Sequence, residues 1–414
     1  GLESGRQPFF DPKSGTVVSV NGEIYNQAAL RKQLQANGFS FDSESDGEVV
    51  LWGYLLWGTE IFSRLEGMFA IAIFDSQSAT LVLARDCIGE KPLYWRRGFD
   101  GVQYCSEAGG LMPSLSGFST KQLHHYFLSD SLGWGQEYGS DIENVRPGTF
   151  VKLTQESCQE ESFYELPPIN SALDFSPQSR DSSLQRVRDA LERSTLARLM
   201  SDVPVGVFLS GGVDSQVVTA VASHVGKIDC AYTLKFGRES FDETREAIRF
   251  ADGLGIPVRV VNATVEDLAD AWSVLKETID EPFADSAVLP QFLLAREAAG
   301  TTKVVLTGDG GDELFMGYQH VLAHQIYSSR LMANLVYKSA NVVARSGVFR
   351  KDEYFSAKFK IERLVRAKSL QNLVRRDLLW RSATTPEMAS ALLPSFDPKA
   401  IEDECSRVEL NLSD

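Results

Sequence analysis

The sequence has few cysteines, and no pattern connects them. The five cysteines lie far apart and form no C-x-x-C motif, so the sequence indicates neither a zinc site nor a disulfide framework. The five histidines show no set of metal-ligand partners either. The simplest interpretation is the scattered, reduced thiols of a cytoplasmic protein.

Long apolar runs and basic residues are also scarce. No segment approaches the roughly 18 apolar residues that a membrane-spanning helix needs, and the N-terminus has no basic-then-apolar signal. Lysine and arginine number 41 against 56 acidic residues, giving a formal net charge of -15, which would repel a nucleic-acid backbone. We therefore expect a soluble cytoplasmic protein whose partners include neither a membrane nor a nucleic acid.

The length of 414 residues exceeds what one hydrophobic core usually supports, so two domains are expected. The first part is predicted to be sheet-rich, with strands at 16–20, 68–74 and 80–84 and a helix at 27–37 that ends before Gly38. Asn21-Gly22 by itself is typical of a hairpin turn. Serine, proline, glutamine and acidic residues dominate residues 156–183, which predicts a linker there.

The second part alternates short apolar runs with segments long enough for helices. The runs lie at 205–209, 230–234, 258–261 and 304–306, a pattern typical of a parallel sheet covered by helices on both faces. Ahead of them, residues 182–185 resemble a capping box. Leu184, Val187 and Leu191 are predicted to form the buried stripe of the helix that follows.

A glycine-rich loop, Ser-Gly-Gly-Val-Asp-Ser at 210–215, follows the first of these runs. A strand that leads through such a loop into a helix directs free N–H groups and the positive end of the helix dipole at one point, which suits an anion. Glycines let phosphate oxygens approach closely, and Asp214 is a candidate ligand for Mg2+. No lysine follows the glycines, so the loop lacks the pattern that cradles a transferred γ-phosphate. It resembles instead the loop of the ATP pyrophosphatases, which cleave between the α- and β-phosphates.

A second glycine-rich turn, at 307–318, follows the run at 304–306 and carries Asp309, Asp312 and Glu313. Carboxylates at a strand end beside a phosphate loop make chemical sense when a divalent cation lies between them. An acidic glycine-rich turn by itself is more often a solvated loop. Residues 280–286, Asp-Glu-Pro-Phe-Ala-Asp-Ser, add polar groups ahead of an apolar helix, either as part of the site or as a helix cap.

These three motifs, in this order, resemble the synthetase domain of the glutamine-hydrolysing asparagine synthetases and their relatives. Segments at 20–26, 45–48, 67–70 and 85–94 resemble the glutaminase domain of the same family. The resemblance implies an N-terminal Ntn-type αββα sandwich at 1–160. It implies a parallel-sheet α/β domain of the ATP-pyrophosphatase type, with a helical C-terminal part, at 180–414. Each domain is expected to lack its outer end in this sequence.

The resemblance also implies a set of site residues. The positions matched to ATP binding are Leu209, Ser210, Gly211, Gly212, Asp214, Ser215, Leu234, Thr307 and Gly308, and those matched to glutamine binding are Asn21, Gly22, Glu23 and Asp46. Asp214 and Asp312 match the residues that meet pyrophosphate and Mg2+. Asp309 stands at the position linked to forming an acyl-adenylate, so catalysis is expected to depend on all three aspartates.

Active glutaminases of the family use an N-terminal cysteine as the nucleophile, whereas this sequence starts with Gly1. The glutaminase half is therefore expected either to be inactive or to be preceded by a segment outside this sequence. Nothing after Pro394 resembles the helical portion that carries the family's catalytic lysine.

The reaction that the resemblance implies uses ATP and Mg2+ to adenylate a carboxylate, with aspartate as the default acceptor. Ammonia from glutamine then forms the amide and releases AMP, after pyrophosphate has left. Three alternatives stay open. The first is an adenylating relative that acts on a sugar carboxylate or closes a β-lactam or peptide ring. The second is an enzyme of tRNA modification, which the acidic charge disfavours, and the third is a catalytically inactive nucleotide-binding subunit. A homodimer is compatible with the resemblance.

Overall fold

The computed structural model describes residues 5–99, 101–111, 118, 122–123, 126–127, 130, 141–166, 176–199, 203–237, 242–328, 377, 380 and 386–393. The chain divides into two compact units. The first comprises Gly1–Gln122 and Leu132–Asp174, and the second comprises Leu123–Ser131 and Phe175–Asp414.

The first unit contains two antiparallel sheets and a group of helices. Its strands are β1 (Phe9–Phe10), β2 (Val17–Ile24), β3 (Gly67–Asp75), β4 (Thr80–Arg85), β5 (Tyr94–Gly98), β6 (Gly101–Cys105), β7 (Ile142–Asn144), β8 (Thr149–Leu153) and β9 (Cys158–Ser162). Its helices are α1 (Gln27–Ala36), α2 (Asp46–Trp57) and α3 (Ile61–Arg64), with 3-10 turns at Gly58–Glu60 and Ala108–Leu111. The larger sheet has the strand order β1-β2-β3-β4-β8-β9, and the smaller has the order β6-β5-β7.

Strand β3 shows how the layers are held together. Successive side chains of a strand point to opposite faces, and in β3 Ile71 and Ile73 join the buried cluster that includes Leu34 of α1. Ala70 and Ala72 join a second buried cluster, which includes residues of β5 and β8. The described residues therefore stack a helix layer, the larger sheet and the smaller sheet, which is the order expected for the predicted αββα sandwich.

Most of the elements predicted in the first unit are confirmed, with two differences. Asn21-Gly22 is no hairpin turn, because both residues lie inside β2, where Gly22 is paired with Phe69. The predicted linker at 156–183 is too wide. Its first part forms β9, which pairs with β8, and its last part already belongs to a helix that begins at Pro177.

The second unit is built on a parallel sheet with the order β12-β11-β10-β13. The strands are β10 (Val205–Phe208), β11 (Cys230–Phe236), β12 (Val258–Ala263) and β13 (Val304–Leu306), so all four predicted runs are confirmed. The helices described here are α4 (Pro177–Arg198), α5 (Val213–Val225), α6 (Thr244–Leu254), α7 (Val265–Thr278), α8 (Val288–Ala298), α9 (Gly311–Phe315), α10 (Gln319–Ser328) and α11 (Pro386–Leu392).

Helices cover both faces of this sheet, as the apolar runs predict. On one face, Ala222 of α5 and Ala247 of α6 pack against Val205 and Val207 of β10. On the other face, Ala298 of α8 packs with β-strand side chains, and α7 and α8 form a further buried cluster with the end of β12. Small residues on the helices let them lie close to the strands, which fixes the loops at the strand ends.

The prediction for α4 is wrong in two respects. The helix begins at Pro177 rather than after residue 182, because Ser176 accepts a hydrogen bond from the Ser179 N–H at 3.2 Å and proline suits the first turn. Leu184 and Val187 are 58% and 38% exposed and Leu191 is partly buried, so the three form no buried stripe. The helix is buried mainly near its C-terminal end, at Thr195.

Most of the helical C-terminal part implied by the resemblance lies outside the described residues. Among the helices that are described, none combines the length and the apolar character needed to cross a membrane.

Candidate active site

The two glycine-rich loops leave the parallel sheet at the same edge. One loop connects β10 to α5, and the other connects β13 to α9. β10 and β13 are hydrogen-bonded neighbours in parallel register, with Val207 opposite Leu306. The carboxyl ends of adjacent parallel strands are where nucleotides bind in open α/β sheets.

The loops are in direct contact through two glycines. A Cβ atom added to Gly308 would lie 2.7 Å from the backbone nitrogen of Ser215, and one added to Gly311 would lie 2.8 Å from Oδ1 of Asp214. Only glycine therefore fits at either position without moving the partner. Asp214 lies against the residue that directly precedes Asp312, so the structure brings together the two loops that the sequence predicts to meet.

The loop after β10 is held in shape by its own side chains. The Ser210 N–H donates to Oγ of Ser215 at 3.1 Å, and the Gly212 N–H donates to Oγ of Ser210 at 3.1 Å. The two serine hydroxyls are 2.9 Å apart, and Nε2 of Gln216 donates to the carbonyl oxygen of Gly211 at 3.2 Å. Leu209 is buried and continues the strand, since its N–H donates to the carbonyl oxygen of Tyr232 at 2.9 Å. The loop is thus pre-shaped ahead of the N-terminus of a 13-residue helix.

The carboxylates of the acidic turn after β13 differ from one another in exposure. Asp309 is exposed, whereas Thr307, Gly308 and Asp312 are partly buried. The Asp312 carboxylate lies close to Gly317, and the backbone carbonyl oxygen of Asp312 accepts from the Gly317 N–H at 3.0 Å. Throughout the part of the chain that the structure describes, no three His, Cys, Asp or Glu side chains form a group that could hold a metal.

The structure also describes two further predicted positions in the second unit. Leu234, at the carboxyl end of β11, is partly buried, and its carbonyl oxygen accepts from Oγ1 of Thr244 at 3.3 Å. In the segment 280–286, Oδ1 of Asp285 accepts from the Ala287 N–H at 2.8 Å, one residue before α8 begins. This contact is a turn ahead of the helix, whose N-cap residue, Ala287, makes no capping hydrogen bond with its side chain.

In the first unit, the positions matched to glutamine binding lie at the end of β2 and the start of α2. Gly22 has a φ of 147° and approaches the Met68 carbonyl so closely that a side chain would not fit. Oδ2 of Asp46 accepts from the Ile24 N–H at 2.8 Å, and Nδ2 of Asn21 donates to Oγ of Ser106 at 3.1 Å. The side chain of Glu23 is exposed. The hydrogen bond from Ile24 to Asp46 brings these four positions into one neighbourhood.

Sequence reasoning missed the role of Asp86, which lies in one of the matched segments. Its buried carboxylate accepts five backbone N–H groups, from Phe69 in β3 and from residues 88, 89, 90 and 91, at 2.7–3.2 Å. Next to it, buried Arg85 donates to the carbonyl oxygens of Gly89, Lys91 and Val145. Asp86 and Arg85 therefore stabilise the loop after β4. An Asp followed by a glycine-containing turn is the sequence signal that could have indicated it.

Glu48 has a comparable role at α2. The residue is only 4% exposed, and its carboxylate accepts from the Asp42 N–H, from the Ser43 N–H and hydroxyl, and from Nε1 of Trp52. Burial raises its pKa, but these hydrogen bonds outweigh burial and leave the pKa below its ordinary value of 4.5. Glu48 thus ties the loop before α2 to the helix.

Three of the cysteines are poorly suited to act as nucleophiles. Partial desolvation raises the pKa of Cys87, of Cys230 and, to the extent that its exposed position allows, of Cys158, and a neighbouring carboxylate adds to the effect in each case. Because the thiolate is the reactive form, a raised pKa lowers reactivity at neutral pH.

Comparison with known proteins matches two parts of the chain to two families. The family described as glutamine amidotransferase domain matches residues 1–164, and the family described as asparagine synthase matches residues 186–396. Glutamine-hydrolyzing asparagine synthetase 1 of Bacillus subtilis is 32% identical over 322 residues, which cover 77% of this chain and 50% of the relative. Glutamine-hydrolyzing asparagine synthetase 3 of Arabidopsis thaliana is 32% identical over 76% of this chain and 51% of its own length.

A Mycobacterium tuberculosis protein that is provisionally named a glutamine-hydrolyzing asparagine synthetase is 34% identical over 73% of this chain and 47% of its own length. The chain thus spans about half the length of the curated relatives it matches. With an amidotransferase match in its first part and a synthase match across half of its residues, the chain belongs to the asparagine synthase family.

Proposed function

We propose that this chain catalyses the ATP-dependent activation step of an amide-forming ligase. A carboxylate oxygen of the acceptor, with aspartate as the default, attacks the α-phosphorus of ATP, and the bond to the bridging oxygen breaks so that pyrophosphate leaves. Ammonia then attacks the acyl-adenylate carbonyl, loses a proton and displaces AMP. The observation that carries the proposal is the contact between the two glycine-rich loops at one edge of the parallel sheet.

ATP is proposed to bind along this edge. The phosphates are proposed to lie at the N-terminal end of α5, which follows the loop 210–215 and whose dipole favours an anion. Thr307 and Gly308 follow β13 on one side of β10, and Leu234 lies in β11 on its other side. The close packing of Gly308 on Ser215 supports a single phosphate site formed by both loops.

The donor set fits a Mg2+ ion that arrives with ATP. Mg2+ is usually held by one or two carboxylates together with substrate phosphates and water, and Asp214 and Asp312 supply two carboxylates from loops in contact. When bound, the ion would neutralise charge on the phosphates. Asp309, exposed on the same turn, is proposed to act where the acyl-adenylate forms.

The first unit is proposed to bind glutamine at the end of β2. Asn21, Gly22, Glu23 and Asp46 offer an amide, backbone groups and two carboxylates, which suit the α-ammonium and polar atoms of a free amino acid. The hydrogen bond from Ile24 to Asp46 supports one shared site. The pKa values of Cys87, Cys158 and Cys230 are raised, which disfavours the thiolate that an attack on glutamine would need.

ATP–pyrophosphate exchange tests the activation step most simply. The full-length protein is incubated with labelled pyrophosphate, ATP, Mg2+ and one carboxylic acid at a time, drawn from a panel with aspartate, β-amino acids and sugar acids. The proposal predicts acid-dependent exchange, and product assays with ammonium salts or glutamine then identify the nitrogen source. If no acid in the panel supports exchange, the proposed ligase activity is wrong.

A further inference from the structure

One N–H group of the phosphate loop is held by a carboxylate from another element. Glu243 lies at the N-terminal end of α6, beyond the next strand, and its Oε2 accepts from the Gly211 N–H at 2.9 Å. The N–H groups on either side, those of Ser210 and Gly212, donate instead to hydroxyls within the loop. The Glu243 carboxylate is therefore an anion bound to Gly211, in a loop whose sequence and position at a helix N-terminus suit anions.

The position of the Glu243 side chain defines what it would meet. A Cβ atom added to Gly211 would lie 3.2 Å from Cβ of Glu243 and 3.5 Å from its carboxyl carbon, so the side chain lies across the face of the glycine. Both Glu243 and the hydrogen bond are exposed, so the side chain can rotate away without disturbing a core. A phosphate oxygen and a carboxylate oxygen are both strong acceptors for a backbone N–H, and two anions in contact repel each other.

We propose that Glu243 is a built-in competitor for the phosphate loop: its carboxylate holds the Gly211 N–H and yields it to a phosphate oxygen when ATP or pyrophosphate binds. This inference rests on the proposed assignment of ATP to the loop. Binding then exchanges the Glu243 carboxylate for a phosphate oxygen at the Gly211 N–H. This exchange lowers the affinity for pyrophosphate and speeds its release.

The other role that Glu243 could have is to clamp the loop in its binding shape. The loop does not need such a clamp, because Ser210, Ser215 and Gln216 already fix it with four internal contacts. Removing the Glu243 carboxylate should therefore free one N–H and leave the loop geometry in place. The two roles make opposite predictions for affinity.

Glu246 provides a matched control. It stands on the same exposed side of α6, and its Cβ would lie 3.3 Å from a Cβ added to Gly211. In the described part of the chain, however, no hydrogen bond links Glu246 to the loop. Replacing either glutamate by glutamine removes the same charge near the same glycine, but only the Glu243 variant weakens the acceptor on the N–H.

The test is calorimetric titration of the full-length protein with pyrophosphate, and separately with ATP, in the presence of Mg2+. Glu243→Gln is expected to lower the Kd for pyrophosphate about tenfold, the size of effect for a lost charge-assisted hydrogen bond, and Glu246→Gln less than about threefold. Unfolding midpoints of both variants should match that of the wild type. Weaker binding in Glu243→Gln would show a clamp and overturn the inference, as would equal tightening in both variants. If the wild-type protein binds neither ligand, the ATP site itself is wrong and the inference is overturned with it.

Discussion

Gly308→Ala is the substitution that the loop contact makes most informative. The added Cβ would lie 2.7 Å from the Ser215 nitrogen, 3.0 Å from the Asp214 carbonyl carbon and 3.1 Å from the Ser215 Cα. All three are backbone atoms, so no side chain can rotate to relieve the contact. The shortfall from an ordinary 3.4 Å contact to 2.7 Å is about 0.7 Å, and the two loops must separate by roughly that distance.

Such a shift should affect activity more than stability. A displacement of about 1 Å at a reacting centre can cost on the order of 100-fold in rate, so we expect ATP–pyrophosphate exchange to fall by about 30- to 100-fold in kcat/KM, or about 2–3 kcal/mol of transition-state stabilisation. The unfolding midpoint should fall by a smaller fraction, because Gly308 itself is only partly buried.

The assay compares kcat/KM for ATP in exchange with the full-length wild type, Gly308→Ala and Gly253→Ala. Gly253 lies within α6 with no atom within 4 Å of an added Cβ, so Gly253→Ala should keep wild-type exchange and controls for the Gly-to-Ala change itself. Exchange within threefold of wild type in Gly308→Ala would refute the close packing of the two loops at the active site.

Two further predictions concern the first unit. Asp86→Asn should lower the free energy of unfolding by about 2–4 kcal/mol, because an amide cannot accept from all the N–H groups that hydrogen-bond to the buried carboxylate. Urea unfolding would measure the loss. An effect below about 0.5 kcal/mol would show that these hydrogen bonds contribute little to stability. Glu48 has a lowered pKa, so its stabilisation is present above pH 4.5 and is lost as pH falls through its lower, folded-state value. Glu48→Gln should therefore lower the free energy of unfolding at pH 7 by about 1–3 kcal/mol and reduce the loss of stability on acidification. Glu44→Gln, at an exposed neighbour, should do neither. If Glu48→Gln loses stability on acidification as the wild type does, the lowered pKa of Glu48 is contradicted.

The sequence predicts the second unit well because its signals are local. Buried parallel strands are visible as short apolar runs, and the phosphate loop and acidic turn each directly follow one of them, so their meeting at one edge follows from the strand order. The order itself comes from the structure. The sequence alone does not show that β10 and β13 are neighbours.

The errors and omissions arise where tertiary contacts decide. The apolar spacing of Leu184 and Val187 predicts burial, but nothing in the sequence shows that α4 packs mainly near its end. Gly22 was open to interpretation as a turn, whereas it is required by the Met68 carbonyl on the neighbouring strand. Glu243 lies 32 residues from Gly211, and its contact depends on the fold that places α6 beside the loop.

The central claim is that Asp214 and Asp312 serve one Mg2+–ATP site, and a double-mutant cycle on Mg2+-dependent ATP binding tests it most directly. Each of Asp214→Asn and Asp312→Asn should weaken binding about 10- to 100-fold, and the double variant should be little weaker than either single one, because both changes remove the same ion. Strictly additive losses in the double variant, or ATP binding that either substitution leaves unchanged, would contradict the claim.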